Sequence, residues 1–286
     1  MLYSDMICKY IKTMLFVSIF TIVTMLNARD NNSITLTLPL YSHPSDTQEG
    51  IGTIWDAVAD AGSLVPIIVI VSAVSDHDEA VGRPSENYIA GLERLRQGNI
   101  TILAYITTDK GQRDIDLVKS NIYDYATYFD IDGIFLDEGV AFDEFDNGEA
   151  LFTYYEDITD YANSFVRIKK VMLNASYIIK EDIERSIIDD FIVFENHILD
   201  WDTFSPSQYI GIDYNRLHII VHGDFDSSRM QSLIQESVEN KITNVYFTDR
   251  EFSYLPSFWH DEVAAIKAYN DTLKSSFIPI VHYLLF

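Results

Sequence analysis

From residue 34 onward the chain repeats one unit. A short run of β-branched and aliphatic residues is followed by a stretch with apolar residues three and four apart. The strand-like runs fall at 34–41, 66–71, 101–108, 131–138, 171–174, 191–195, 218–222 and 244–249. Within 131–138 a short apolar stretch ends in two adjacent acids, which marks a strand buried on both faces of a parallel sheet. Helical periodicity fills most of the gaps, at 54–61, 88–95, 149–165, 181–188, 227–240 and 261–274. One further helix opens at Asp114 and carries Leu117, Val118, Ile122 and Tyr125. Eight strand-and-helix units in about 240 residues predict an α/β fold, a single (β/α)8 TIM barrel. An open doubly wound sheet shares the alternation. The even spacing, the count of eight and the lack of a Gly-rich dinucleotide loop after the first run favour the barrel.

The barrel is expected over residues 31–276 as one domain. Lys9 and Lys12 precede an apolar run at 14–26 and then Asn27 and Ala28, the pattern of a signal peptide over 1–28, with an uncleaved anchor as the alternative. The run is short of the roughly 20 apolar residues of a membrane span, and so is the apolar C-terminal tail 277–286, so no span is expected in the mature chain. The protein is therefore expected to be secreted or at the cell surface, as a monomer. Cys8 is the only cysteine, which removes disulfides, thiolate metal sites and a cysteine nucleophile from a mature chain. Asn31, Asn99, Asn174 and Asn270 each open an Asn-x-Ser/Thr glycosylation pattern. A hydrophobic content of 48% supplies a large core, and a net charge of -24 argues against nucleic acid or an anionic membrane surface as partner.

In such a barrel the active site lies where the strands run out. The first strand ends in Tyr41 and His43, and the third carries Tyr105 and Thr107. The fourth ends in Asp137 and Glu138, the fifth in Asn174 and the sixth in Glu195. The seventh ends in His222 and the eighth in Asp249. Carboxylates at three strand ends suit glycoside hydrolysis, which needs one carboxyl to protonate the leaving oxygen and a second to attack the anomeric carbon or activate water. Asp137 and Glu138 should point differently, since side chains alternate along a strand. For Glu195 the plain structural alternative is an ion pair with a loop Arg or Lys. Tyr41, Tyr105 and Trp201 could stack on sugar faces. Hard metal ligands are the competing chemistry, with Asp137, Glu138, Glu195, His43 and His222 as candidates, although no His-Glu-x-x-His spacing occurs. No cofactor is expected.

The pieces Leu38-Pro-Leu-Tyr-Ser-His-Pro44, Leu103-Ala-Tyr-Ile-Thr-Thr108 with Gly111 and Arg113, and Ile131-Asp-Gly-Ile-Phe-Leu-Asp-Glu138 resemble the spherulin-4 family of glycoside hydrolases. So do Val193-Phe-Glu195, Val221-His222, Tyr246-Phe-Thr-Asp249 and Leu255-Pro-Ser-Phe-Trp259, in the family's order. The resemblance implies a secreted barrel that hydrolyses a polysaccharide containing galactosamine or N-acetylgalactosamine, by a retaining mechanism without a metal. It implies Asp137 as nucleophile, Glu195 as acid/base and Glu138 as a binding or tuning neighbour, with Tyr41, His43, Tyr105, Asn174, His222 and Asp249 toward substrate. Two loops depart from the family pattern, Val71-Ser-Ala-Val-Ser-Asp76 and Asn174-Ala-Ser176. A non-catalytic carbohydrate-binding or surface-coat protein on the same barrel is the alternative they leave open.

Overall fold

The computed structural model describes residues 33–73, 80–140, 142, 148–175 and 178–275. The expected signal peptide, the C-terminal tail and residues 74–76 of the 71–76 loop lie outside them. Eight strands run in parallel: β1 Thr35–Leu40, β2 Ile67–Val71, β3 Ile100–Thr107, β4 Gly133–Gly139, β5 Lys170–Ala175, β6 Asp190–His197, β7 Leu217–His222 and β8 Asn244–Thr248. They close into one barrel in chain order, with β1 bonded to both β2 and β8. Each expected strand is present, with its ends moved by two residues or fewer. The barrel unit runs from Ile34 to Asn270.

Seven α-helices accompany the strands among the described residues: α1 Ile54–Gly62, α2 Glu86–Leu95, α3 Ile115–Tyr128, α4 Gly148–Asn163, α5 Lys180–Arg185, α6 Ser227–Glu239 and α7 Trp259–Ser275. Asp114 caps α3 as expected, its carboxylate accepting from the Asp116 amide at 2.8 Å and the Leu117 amide at 3.3 Å. The sixth crossover, where the sequence shows no helical period, has no α-helix. There the chain makes three 3-10 turns, Ile198–Thr203, Pro206–Tyr209 and Tyr214–Arg216. Pro206, Gly211 and Asp213 interrupt any helical period in that stretch, and Gly211 takes a φ of 100°.

Strand register divides each strand into inward and helix-facing positions. Parallel partners share a face, so the pairs Thr37–Ile68, Ile68–Thr101, Leu103–Gly133 and Gly133–Lys170 trace one inner ring. The opposite faces of the strands, among them Leu36, Leu38, Val69, Ile134, Val171 and Ile219, are at most 1% exposed under the helices. At the base of the interior stands a polar chain from β5, β6, β7 and β1. The Lys170 ammonium donates to Asp190, His218 Nε2 lies 3.2 Å from Asp190 Oδ2, and His218 Nδ1 shares a 2.7 Å hydrogen bond with Thr37 Oγ1. Above it Phe135, Met172, Ile192, Ile220 and Tyr246 fill the middle, all at most 1% exposed. The inner ring then ends at the C-terminal face with Tyr41, Tyr105, Thr107, Asp137, Asn174, Glu195 and His222.

Two glycosylation-pattern asparagines are committed elsewhere. Asn270 is buried, and its amide both accepts from the Ile34 N–H and donates to the Ile34 carbonyl. Asn174 belongs to the inner ring. Asn99 is exposed at the turn into β3, and Asn31 lies outside the described residues.

Candidate active site

Asp137 and Glu138 occupy the end of β4, where pairing with β5 slips. Leu136 pairs with Leu173 and Gly139 with Ala175, so β4 uses one more residue than its partner. This is a β-bulge, a device that re-aims a side chain at a strand end. Glu138 takes up the extra residue with a φ of 54°. Gly139 completes the bulge, because a Cβ there would stand 2.8 Å from the Asn174 carbonyl oxygen and 2.7 Å from Leu173 Cδ1. The two acids do point differently, but a left-handed residue separates them, and simple alternation does not.

Each acid has its own holder. Thr107 Oγ1, from the end of β3, donates to Glu138. Thr108 Oγ1 donates to the Asp137 carbonyl at 2.9 Å, and the Asp109 amide donates to Thr107 Oγ1 at 3.2 Å. The following turn is left-handed at three residues in succession, Asp109 (44°), Lys110 (55°) and Gly111 (74°). Arg113 locks it from below, donating to the Thr107 carbonyl at 3.0 Å. Non-glycine residues at such angles cost about 1–3 kcal/mol each, and they concentrate at functional sites.

Asn174 ties the catalytic candidates together. Its amide nitrogen donates to Asp137 Oδ1 at 2.8 Å and to Glu195 Oε2 at 2.5 Å. Both partners are carboxylate oxygens, so the donor end of the amide must face them. The Tyr105 hydroxyl also bonds Asp137. Burial pushes the Glu195 carboxyl up to about 7, the neighbouring Asp137 charge adds to this, and the Asn174 hydrogen bond offsets part of it. Burial raises Asp137 as well, but donors from the Glu138 backbone, Asn174 and Tyr105 pull it back toward the ionised form. No Arg or Lys pairs with Glu195 among the described residues. A pocket of about 320 Å³ opens above these groups, lined by Lys110, Asp137, Glu138, Asn174, Glu195 and Asn196 among others.

The remaining sequence candidates fall in four places. Tyr41 joins the acids, its ring edge-on to Tyr105 at 5.5 Å, and burial with the charges of Asp137 and Glu195 keeps its hydroxyl protonated. His222 and Asp249 line a second pocket of about 700 Å³ at the ends of β7 and β8. Burial and neighbouring His197 lower the His222 pKa. The Asp249 carboxylate is occupied by Ser257, through its amide at 2.8 Å and its hydroxyl at 2.5 Å. His43 is not brought to either pocket. It is exposed, bonds Ser45 at 2.7 Å and meets the Tyr88 ring edge-on. Trp201, a stacking candidate, is 6% exposed and donates to Glu236 at 2.6 Å, so it serves the core. No cluster of three His, Cys, Asp or Glu arranged for a metal occurs among the described residues.

Sequence reasoning passed over Lys110 and Phe252. Lys110 reaches the pocket only because of its left-handed turn. Phe252 sits in an unpatterned loop, yet its ring meets Tyr41 at 6.2 Å and His222 at 6.4 Å.

The family described as "Spherulation-specific family 4" matches residues 35–266. Spherulin-4 of Physarum polycephalum is 26% identical over 262 residues, covering 86% of this chain and 74% of that protein. Among solved structures, Sph3 of Aspergillus clavatus, crystallised in complex with GalNAc, superposes with a TM-score of 0.68 at 20% identity, over 82% of this chain and 98% of that one. The glycoside hydrolase domain of PgaB (BpsB) from Bordetella bronchiseptica gives 0.55 at 8% identity over the same shares. The chain thus has the fold of a glycoside hydrolase domain. Among the described residues no helix is long and apolar enough to cross a membrane.

Proposed function

The chain belongs to spherulation-specific family 4, and on that premise we propose that it is a retaining glycoside hydrolase, acting outside the cell on a polymer that contains galactosamine or N-acetylgalactosamine. One observation carries the reading: a single amide nitrogen bonds both Asp137 and Glu195. Oxygens at 2.8 and 2.5 Å from one atom lie at most about 5.3 Å apart. So close a pair of facing oxygens favours the closely set carboxyls of retaining enzymes, roughly 5–5.5 Å, over the roughly 6.5–9.5 Å that admits a water between the carboxyls.

The electrostatics divide the roles. Glu195, with a pKa near 7, holds a proton through the acidic and neutral range and gives it to the glycosidic oxygen as the C–O bond breaks. Asp137, with three donors on its carboxylate, attacks the anomeric carbon and forms the glycosyl ester. Glu195 then takes a proton from water, which attacks the same carbon and frees Asp137. Glu138, fixed by Thr107, faces the pocket as a hydroxyl or amine acceptor for the sugar. Tyr41 and Tyr105 wall the site beside the sugar. The GalNAc bound in the Sph3 crystal supports the sugar class.

The test is the release of reducing ends from galactosamine-containing polysaccharides. Asp137→Asn and Glu195→Gln should each lower turnover by roughly 100- to 10,000-fold, and wild-type activity should fall as pH rises through about 7. Glycan binding with no release by the wild-type protein would instead favour the non-catalytic reading, which the departures at 71–76 and 174–176 support.

A further inference from the structure

The pocket at the ends of β7 and β8 is larger than the one above the acids, about 700 against 320 Å³, and the proposed chemistry uses none of it. Its walls are His222, Gly223, Asp249, Arg250, Glu251, Phe252 and Tyr254. Three features mark it as a site and not a fold in the surface. First, it holds solvent-accessible aromatic area. Tyr254 is 47% exposed and Phe252 half-buried, whereas aromatic rings that serve the core of this barrel, such as Trp55, Trp259 and Phe247, are at most 1% exposed. Second, it offers both donors and acceptors. The exposed Arg250 guanidinium stands in the lining beside Asp249, whose carboxylate accepts from Ser257, and exposed Glu251. Burial and His197 favour the neutral form of His222. Third, it is joined to the acid pocket by rings in contact. Phe252 meets His222 on one side and Tyr41 on the other, and Tyr41 meets Tyr105, whose hydroxyl bonds Asp137. The Tyr41 amide also donates to the Phe252 carbonyl at 3.3 Å, fixing that loop to the end of β1.

We propose that this pocket is a second saccharide subsite, which holds an uncharged sugar unit of the same chain against Phe252 and Tyr254 while another unit occupies the acid pocket. Aromatic faces take the apolar face of a pyranose ring, and a pocket lined by a guanidinium and carboxylates both donates to and accepts from sugar hydroxyls. The ring ridge of Tyr41 and Phe252 separates the two units. The inference rests on the glycosidase reading for the occupant of the acid pocket, and binding is measured without turnover so that the two can fail separately.

The experiment is calorimetric titration of the full-length Glu195→Gln protein with N-acetylgalactosamine and with its oligomers of two to six units. Affinity should rise with length by about tenfold or more once both pockets can be filled. Tyr254→Ala and Phe252→Ala, each in that background, should lower oligomer affinity about three- to tenfold and leave the ratio for the monosaccharide near one. Tyr254 is exposed enough that its truncation tests the idea even where Phe252→Ala fails to fold. Equal affinity at all lengths, or equal losses for monosaccharide and oligomers in the Tyr254 variant, overturns the second subsite and spares the glycosidase reading. Binding of no length overturns both.

Discussion

The acid at the end of β6 is expensive for the fold. Glu195 is partly buried beside Asp137, and its pKa is raised to about 7. A carboxyl whose folded pKa lies above its unfolded value binds its proton more tightly in the native state. Stability is therefore unaffected below the unfolded pKa near 4.3 and falls as pH rises from there to about 7. At about 1.4 kcal/mol per pH unit, the full penalty is roughly 4 kcal/mol, less whatever solvent at the pocket mouth screens. Replacing Glu195 by Gln keeps the shape and an acceptor while removing the charge. This variant should melt several degrees above the wild type at pH 8 and within a degree of it at pH 4, by scanning calorimetry. A gain that persists at pH 4 would mean that packing, and not the charge, distinguishes the two. Asn174 explains why the penalty is no larger, since its amide donates to both carboxylates at once. The residue proposed as acid/base is the one the fold would be steadier without.

At the scale of elements, the β4 bulge and the turn after β3 are built as one piece. Thr107 and Thr108 of that turn hold the Glu138 carboxylate and the Asp137 carbonyl. Three of the four non-glycine residues with positive φ among the described residues, Asp109, Lys110 and Glu138, lie here. Glu138→Gly relieves the left-handed position, so it should leave stability unchanged or raise it by about 1 kcal/mol in urea denaturation while sugar affinity drops. Glu138→Ala keeps a Cβ at φ 54° and should show the affinity loss without that gain. If glycine destabilises instead, the Thr107 contact outweighs the strain. This piece also marks where sequence reading stops. The eight strands were legible because burial on both faces leaves short runs rich in β-branched and aliphatic residues, with Ile67–Val71 buried at all five positions. The acids were legible because a charge ending such a run must be solvated or used. The bulge was not, since it exists only as a mismatch of partners between β4 and β5, two segments far apart in the chain. His43 lies two residues past Tyr41 and reads as part of the same site, yet its own bond to Ser45 turns it outward. The sixth crossover lacks a helix because its turn formers leave no run of three apolar turns, a negative signal easily passed over when the strands on either side are regular.

The molecule as a whole sets two ionised layers against each other inside one barrel. The C-terminal ring carries acids whose burial opposes folding. The base ring carries Asp190, 3% exposed, whose burial alone would raise its pKa. The hydrogen bond and charge of His218, with the Lys170 ammonium, outweigh this and bring it below the usual carboxylate range. Asp190 joins β5, β6 and β7 through these partners, and Thr37 extends the chain to β1 across the β8 position. That bridge sits near the weakest seam, because β1 pairs with β8 at only two register positions while β1 and β2 pair at five. A carboxyl with a depressed folded pKa contributes stability above its unfolded pKa near 3.9 and loses it as pH falls through the lower folded value. Asp190→Asn strands the Lys170 ammonium and His218 against a neutral amide, and should cost about 3–5 kcal/mol at pH 7. The gap to the wild type should begin to narrow below about pH 4 and close only once pH has fallen through the lower folded value, where the wild-type carboxylate is itself protonated. The measurement is thermal denaturation of both proteins from pH 3 to 8. The folded variant should retain the wild-type pH profile of hydrolysis, because Asp190 lies at the far end of the interior from Glu195. A stability gap independent of pH would assign the loss to packing at the base, and a displaced pH profile would show that the two layers communicate through the barrel.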